Sequence, residues 1–338
     1  MSINKQKIII LDGGVLTHRA IFNWGSVKKK ILEGKLSEST FLPPVSYTFF
    51  QMIISALKKI GLNENDKVIL ALDKTNSWRK FFYPEYKAQR AGLRDEHEHI
   101  NWKYHYSLIN QVTEQIEEAT NWNIIWLPKL WQGSDLFFTK EGHELIEQSE
   151  IEDYNKWYGV EADDIIAYAS EYFSDKEVIF VSIDADLDQL CVRENTKFFT
   201  LTKKFKGTTG MYKVVNNGYK VLAKKIEKGD VSDNIIPRTT DNGSANAQKR
   251  RELIIDLINL PEFVKEELKI VFDTLKEKEL SLERLPFQKS LAKKFSQIYE
   301  KDNIITYEDC VTLDEKRKKR ASNKAKLKRE QKKKEALK

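Results

Sequence analysis

The sequence has few cysteines and no long hydrophobic run. Among its 338 residues, the only cysteines are Cys191 and Cys310, which cannot form a framework of disulfides, so a reducing, cytoplasmic compartment is expected. No apolar run approaches the ~18 residues of a membrane-spanning helix, and the first apolar stretch is too short for a signal peptide. Hydrophobic residues make up 41% of the chain and charged residues 32%, which suits one large folded domain or two ordinary ones.

Charge is distributed unevenly along the chain. The formal net charge is +6, but residues 315–338 hold 13 Lys and Arg against 3 Glu and alone carry +10. The preceding 314 residues carry −4. The basic end lacks aromatic and β-branched residues and is expected to be a disordered tail or a frayed helix. It either adds salt-dependent affinity for DNA or merely keeps the chain soluble, and we favour the first.

Three apolar runs, 7–14, 67–73 and 177–190, each break at an aspartate. Continuous apolar runs of this length are typical of strands buried on both faces of a parallel sheet. Helical patterns lie between them, at 45–60 (closed by Gly61), 104–119 and 160–173. This alternation predicts an α/β fold with a mostly parallel sheet flanked by helices.

The pattern changes near residue 206, after the last strand-like run. The remaining residues are predicted to be helical, at 216–228, 246–259, 261–279 and 287–300. The chain is therefore divided into an α/β domain at 1–206, a helical domain at 207–314 and the basic tail at 315–338.

Acidic residues follow the predicted strands and begin one predicted helix. In open α/β sheets, active sites lie beyond the carboxyl ends of the strands. The acids that follow strands or cluster at 159–169 and 228–235 are Asp12, Asp73, Glu161, Asp163, Asp164, Asp184, Asp186, Asp230 and Asp233. Nine neighbouring carboxylates need cations to stay ionised, and oxygen ligands without Cys or His indicate Mg²⁺ or Mn²⁺. A surplus of acids suggests two ions, the arrangement used in phosphoryl displacement.

Each acidic cluster also has a simpler explanation. An aspartate after a strand is often only a turn or capping residue, and acids at a helix start favour the helix dipole. The conjunction of these groups in strand-end and helix-start positions is what favours a shared metal site.

The segment 77–90, SWRKFFYPEYKAQR, interleaves basic and aromatic residues. This combination suits a strand of nucleic acid, because the charges contact phosphates and the rings stack on bases. Lys87 and Arg90 are three residues apart and could hold one phosphate. The alternative is an ordinary amphipathic surface segment.

Taken in order, Asp12, Asp73, YKAQR, GVEADD, SIDADLDQL and KGDVSDN resemble the flap endonuclease superfamily of 5′ nucleases. The resemblance covers about residues 7–236 and is closest to the bacteriophage ribonuclease H and 5′-to-3′ exonucleases, which remove RNA primers during replication. It implies a 5′-nuclease-like (PIN-like) sheet, a helical arch at about 77–103 and a helical domain that binds duplexes. It also implies activity in the cytoplasm of a phage-infected bacterial host.

The resemblance assigns roles to individual residues. One Mg²⁺ would be held by Asp12, Asp73, Glu161 and Asp163, and the other by Asp164, Asp184, Asp186, Asp230 and Asp233, with Mn²⁺ as a substitute. In such enzymes a metal-bound water attacks the phosphodiester and leaves a 5′-phosphate. Lys87 and Arg90 match the basic pair that contacts the scissile phosphate. Tyr86 would stack on the terminal base, and Arg79 is a weaker candidate for the same phosphate path. No role is assigned to His97 or His99.

The sequence departs from the family pattern in three places. Residues 235–253 contain one glycine, Gly243, so the hairpin that binds duplex backbone and a monovalent cation is degenerate. Lys249, Arg250 and Arg251 could still contact duplex phosphates. Residues 129–157 are a possible insertion with no assigned function, expected to pack against the arch. Ala185 stands where the family commonly has glycine, a mild change.

The expected partners are DNA and RNA·DNA duplexes with 5′ ends, nicks or flaps. A single-strand-binding protein and a sliding clamp are further candidate partners. Two alternatives stay open: a PIN-like ribonuclease without an arch, and a catalytically inactive DNA-binding protein that recognises structure. Retention of all nine acids and of both Lys87 and Arg90 argues against the inactive form.

Overall fold

A six-stranded sheet forms the centre of the fold in the computed structural model. The structure describes residues 6–73, 76–93, 97–205, 207–238, 245–275, 280–300, 302 and 304–335. In spatial order the strands are β3 (Asn123–Ile125), β2 (Lys67–Ala71), β1 (Lys7–Asp12), β6 (Glu177–Ser182), β7 (Thr196–Phe205) and β8 (Thr208–Lys213). A separate antiparallel pair consists of β4 (Trp131–Gln132) and β5 (Trp157–Tyr158).

Strand β1 lies in the middle of the sheet and is parallel to both neighbours. Ile9 pairs with Val68 of β2 and with Ile179 of β6. The side chains of residues 8–11 are completely buried, as the unbroken apolar run predicts for a strand covered on both faces. Among the described strands of this six-stranded sheet, β7 and β8 alone pair antiparallel, so the predicted mostly parallel α/β fold is confirmed.

Helices cover both faces of the sheet. They are α1 (Gly13–Leu32), α2 (Val45–Ile60), α3 (Arg79–Phe82), α4 (Arg90–Leu93), α5 (Trp102–Ala119), α6 (Gly133–Phe137), α7 (Lys140–Leu145), α8 (Ala162–Tyr172), α9 (Gly218–Lys228), α10 (Ala245–Ile255), α11 (Glu262–Asp273), α12 (Gln288–Ser296) and α13 (Tyr307–Glu335). Short 3₁₀ helices occupy Gln148–Glu150, Asp186–Val192, Val231–Asp233, Leu282–Arg284 and Gln297–Tyr299. Alternate residues of β1 face different hydrophobic clusters: Ile8 and Ile10 pack with α8, α10 and α11, whereas Ile9 and Leu11 pack with α1, α2, α5 and α12.

The sheet and both hydrophobic clusters continue past the boundary expected at 206. Strand β8 was not anticipated, because its Thr-rich sequence with Gly210 lacks a sustained apolar run. Phe263 of α11 belongs to the cluster on one face and Phe295 of α12 to the cluster on the other. Helices of the 207–314 region therefore share the core of the α/β part. Residues 239–244, which include Gly243 of the degenerate hairpin, lie outside the described residues.

The expected arch segment at 77–103 contains α3 and α4, each only four residues long, before α5 begins. Residues 94–96 lie outside the described part of the chain. The first half of the segment packs inward, since Trp78 is completely buried and Phe82 almost so. The possible insertion at 129–157 forms the β4–β5 pair with α6 and α7 between them, and Trp131 packs edge-on against Phe263.

The basic tail, expected to be disordered or a frayed helix, is helical through Glu335 in the structure. Helix α13 begins at Tyr307, and buried Cys310 anchors its first turns to the core. Residues 315–326 are exposed on all sides. The helix continues there because its Ala, Lys, Glu, Arg and Leu residues have high helix propensity and no Gly or Pro interrupts them. In the described part of the chain, no helix is both long and apolar enough to cross a membrane.

Candidate active site

The carboxyl ends of β1, β2 and β6 bring aspartates to one edge of the sheet. Asp12 is the last residue of β1, and Asp73 and Asp184 follow the neighbouring strands. Asp12 caps α1 by accepting a hydrogen bond from the Val15 amide at 2.9 Å, and its other oxygen accepts one from the Ser182 hydroxyl at 2.6 Å. The side chain is thereby fixed in a buried position.

The start of α8 brings two more acids against this edge. Glu161 is the N-cap of α8, and Asp163 lies in its first turn. The Ala162 amide donates a hydrogen bond to Asp73, which ties the end of β2 to the start of α8. Gly14 permits this approach, because a Cβ there would lie 2.2 Å from the Asp73 Oδ2. The four acids predicted for the first metal therefore converge.

The three aspartates of this group have raised pKa values. Burial, followed by the charge of Asp73, raises the pKa of Asp12 to about 7. Asp73 opens on the cleft, yet partial loss of hydration and then the charge of Glu161 raise its pKa to about 6. Burial and then the charges of Asp184 and Asp12 raise the pKa of Asp163 well above its ordinary value. Such a group of carboxylates is short of positive charge.

A second acidic group lies beside the first and contains Asp186, Asp230 and Asp233. One carboxylate oxygen from each lies within 4.8 Å of the others. Asp184 connects the two groups, since one of its oxygens accepts a hydrogen bond from the Asp186 amide at 2.9 Å. Burial and then the charge of Asp184 raise the pKa of Asp186 to about 7.

A tight loop positions Asp230 and Asp233. Gly229 has φ +68°, and a Cβ there would lie 2.3 Å from the Ile235 carbonyl oxygen. Asp230 and Ile235 exchange backbone hydrogen bonds of 2.8 and 2.7 Å, which close the loop. The KGDVSDN sequence therefore needs its glycine to turn both aspartates toward the cleft.

The donor set fits a hard divalent cation. Every candidate ligand is a carboxylate, and among the described residues the cluster contains neither cysteine nor histidine. Mg²⁺ and Mn²⁺ favour oxygen donors. The raised pKa values of Asp12 and Asp186 show that the fold holds these groups where added positive charge would stabilise their ionised forms.

Lys87 and Arg90 lie against the acids. Lys87 has a left-handed backbone conformation, with φ +57°, and its amide donates a hydrogen bond to the Asp233 carbonyl oxygen at 2.9 Å. Its ammonium is 2.6 Å from the Glu161 Oε1. Arg90 contacts the Asp233 carboxylate at 2.8 Å, and its side chain is half exposed. Both bases therefore reach the acidic cleft.

Arg79 and Asp164 have structural positions instead of the predicted contacts with phosphate and metal. Arg79 is almost completely buried and contacts both oxygens of Asp164, as well as Glu161. Asp164 is fully buried and also accepts hydrogen bonds from the Trp78 indole and the Glu161 amide. Its oxygens are occupied by protein donors, so the pair joins the 77–90 segment to α8. Sequence spacing could not distinguish this buried pair from ligands facing a cleft.

Three further nucleic-acid contacts predicted from sequence are corrected by burial or pairing. Tyr86 is 2% exposed and donates its hydroxyl to Glu161 at 2.8 Å, so its ring has no face for a base. Arg251 is completely buried. Arg250 donates to the Leu145 carbonyl and forms a bidentate pair with Glu150. Lys249 is exposed and stays a candidate.

Sequence reasoning missed Ser182 and Lys225. Ser182 is the first residue of the SIDADLDQL motif, and its place beside Asp12 follows from the strand register. Lys225 contacts both Asp186 and Asp230. In the sequence it is one of several lysines on an amphipathic helix, and nothing there marks it as different.

The basic partners lower the pKa of two acids. Burial opposes ionisation of Glu161, but Lys87 and Arg79 outweigh it and bring the pKa to about 2. Burial also opposes ionisation of Asp230, but hydrogen bonds from Lys225 and Ser232 bring its pKa to about 2. The two kinds of acid therefore respond differently to pH.

In EDTA, the free energy of unfolding should fall by about 5 kcal/mol as the pH rises from about 5 to 7.5. Asp12 and Asp186 bind protons more tightly in the folded state, so their destabilising effect grows between the ordinary pKa of 3.8 and about 7. Glu161 and Asp230 have lowered pKa values in the folded state, so their ionised forms stabilise the fold. This stabilisation is lost only as the pH falls below their ordinary pKa values towards 2. Denaturant-induced unfolding at several pH values, in EDTA or in Mg²⁺, measures the slope of the free energy of unfolding against pH.

Asp12→Asn is the matched variant for this measurement. Asparagine retains an oxygen for the Val15 amide but carries no charge, so the variant should show a shallower slope. Mg²⁺ should also flatten the slope of the unmodified chain. Equal stability at both pH values in EDTA would contradict the assigned pKa directions.

Several solved structures are similar to this chain, and the T5 D15 protein is one of them. No protein-family model matches the chain, and no curated protein matches it. The crystal structure of T5 D15 protein co-crystallised with metal ions is 17% identical, with a TM-score of 0.44. The match covers 89% of this chain and 91% of that one.

Proposed function

We propose that the chain is a divalent-metal-dependent nuclease of the flap endonuclease superfamily. It hydrolyses phosphodiester bonds in DNA and RNA·DNA duplexes near 5′ ends, nicks or flaps and leaves 5′-phosphates. The observation that supports this most is the meeting of acids from several distant segments with two bases at one edge of the sheet. A purely structural role would not require so many mutually repelling carboxylates, since their repulsion destabilises the fold.

The proposed metal ligands form two adjoining groups. Asp12, Asp73, Glu161 and Asp163 would hold one ion, and Asp184, Asp186, Asp230 and Asp233 the other. When bound, such ions lower the pKa of water and neutralise charge on phosphoryl oxygens. The buried Asp164 is left out of the second group, because Arg79 and Trp78 occupy its oxygens.

The bases of the cleft would bind the scissile phosphate. The Lys87 ammonium lies where the charges of Glu161, Asp233, Asp163 and Asp73 all act on it, and it is therefore held beside the acids of both groups. Arg90 is more open and could offer its planar guanidinium to two phosphate oxygens. Together they would orient the phosphate and stabilise the negative charge that develops during hydrolysis.

The substrate preference and biological setting are proposed from the sequence resemblance. They are removal of RNA primers by ribonuclease H and 5′-to-3′ exonuclease activity during phage DNA replication in the host cytoplasm. A single-strand-binding protein and a sliding clamp are the proposed protein partners in that setting.

A set of labelled substrates tests the proposed function. The full chain is incubated with 5′-flap, nicked and RNA·DNA duplexes, in Mg²⁺, Mn²⁺ or EDTA. The expected result is release of products with 5′-phosphates in either metal and none in EDTA. Cleavage of single-stranded RNA without any requirement for a 5′ end would support the PIN-like ribonuclease instead. Binding of flaps without cleavage in either metal would support the inactive DNA-binding protein.

Removing residues 315–338 should weaken duplex binding mainly at low salt. The deleted segment carries a net charge of +10, and each phosphate contact contributes about −0.9 to the slope of log affinity against log salt. Affinities from fluorescence anisotropy at several salt concentrations measure this slope. A full-length variant with the Lys and Arg of this segment changed to Gln separates charge from length. An unchanged slope in both variants would exclude a nucleic-acid role for the tail.

A further inference from the structure

A lysine ammonium lies between two acids of the second group. Lys225 is near the C-terminal end of α9, and its Nζ contacts carboxylate oxygens of both Asp186 and Asp230. The three side chains are mostly buried, with 19% of Lys225, 18% of Asp186 and 9% of Asp230 exposed. The ammonium therefore forms part of the site and does not belong to a solvated helix face.

The position of Lys225 is set by the fold on both sides. The Asn217 side chain caps α9 by accepting a hydrogen bond from the Lys220 amide. The buried Leu222 packs the helix against the core. The closed loop after Gly229 fixes Asp230, which also accepts hydrogen bonds from the amide and hydroxyl of Ser232. The lysine side chain itself is a flexible four-carbon chain, so its ammonium can leave while the helix and loop stay in place.

One monovalent charge only partly offsets the acids around it. Asp186, Asp230 and Asp233 offer oxygens within 4.8 Å of one another, and the charge of Asp184, the fourth acid of the second group, also acts on Asp186. A divalent cation among the same oxygens would supply twice the charge of the ammonium. The Lys225 ammonium and a divalent cation would therefore need the same oxygens, those of Asp186 and Asp230.

We propose that Lys225 is a built-in counter-ion that competes with the divalent cation for Asp186 and Asp230. In the ion-free chain it holds these acids together, and the second ion binds only as the ammonium moves aside. The second group thus binds its ion more weakly than its carboxylates alone would allow. This inference rests on the proposed function, because it takes the acids to be metal ligands.

Mn²⁺ binding to the full-length chain, followed by electron paramagnetic resonance of the free ion, tests this competition. Lys225→Met removes the ammonium but keeps a side chain of similar length. It should tighten binding at the weaker of two sites by about tenfold, the effect expected from removing one charge-assisted contact. Lys225→Arg, which keeps the charge, should bind Mn²⁺ like the unmodified chain.

Lys224→Met is the matched control. It removes the same charge from the adjacent, exposed position of α9 and should leave both affinities unchanged. Unchanged or weaker binding in Lys225→Met would overturn the competition while leaving the proposed metal sites intact. Absence of Mn²⁺ binding in the unmodified chain would overturn both proposals. Circular dichroism checks the fold, and unfolding of both Lys225→Met and Lys225→Gln would show a structural role and overturn the competition.

Discussion

Asp184→Asn should lower the rate of phosphodiester hydrolysis by about 10³-fold or more, the scale of removing one preorganised electrostatic element from an active site. Asp184 lies between the two acidic groups, and its charge acts on Asp12, Asp163 and Asp186. Asparagine retains an oxygen for the Asp186 amide, so the local backbone should be preserved while the charge is lost. The substitution therefore removes a proposed ligand of the second ion whose charge also acts on Asp12 and Asp163 of the first group.

Single-turnover cleavage of the preferred duplex in Mg²⁺ measures this loss. Asp188→Asn provides the control, because Asp188 lies in the short helix that follows Asp184 but pairs with Lys213 at 2.6 Å. It should retain most of the activity. Anisotropy should show duplex binding by both variants. If Asp184→Asn cleaved nearly as fast as the unmodified chain, Asp184 would not be a metal ligand and the proposed metal site would be wrong.

Lys87→Met should slow hydrolysis by about 10²- to 10³-fold, because it removes a positive charge beside the transition state. Glu161 would keep its contacts with Arg79 and the Tyr86 hydroxyl, so its carboxylate would not be left unpaired. Methionine would occupy the same left-handed backbone position as lysine, so the conformational cost should be similar. The loss should therefore appear in the cleavage step.

Lys80→Met is the matched control for Lys87→Met. Lys80 belongs to the same segment but lines a cavity of about 200 Å³ between the 76–84 stretch and the possible insertion, and none of the proposed metal ligands lines this cavity. It should leave single-turnover rates close to those of the unmodified chain. Equal losses in both variants would indicate a general effect of charge on duplex binding and would argue against a specific role for Lys87.

The strand-end acids were predictable because parallel strands have a fixed polarity. Once β1, β2 and β6 are recognised as parallel, Asp12, Asp73 and Asp184 must follow at the same edge. The helix at 45–60 and its end at Gly61 were predictable for a similarly local reason. Periodicity and capping depend on residues close in sequence.

Burial within the 77–90 segment was not predictable from sequence. Its alternation of basic and aromatic residues suits a nucleic-acid surface, but Arg79 and Tyr86 turn inward to Asp164 and Glu161. Which carboxylate faces the cleft and which faces a buried arginine depends on contacts between distant segments. Sequence spacing is the same in either case. Lys225 was missed for the same reason, because its partners become visible only when α9 packs beside the loop at 230–235.

The sheet order also has a consequence for synthesis of the chain. Ile9 pairs with Val68 on one side, but on the other side with Ile179, whose codon is read much later. Until β6 has been made, the central strand has an unpaired edge and an incomplete apolar covering. Because domains fold as units during translation, the sheet cannot close before residue 182 leaves the ribosome. Nascent chains that end before residue 182 expose an unpaired edge of β1, which favours aggregation. Helices that have already formed, or chaperones, must cover this edge until β6 pairs with it.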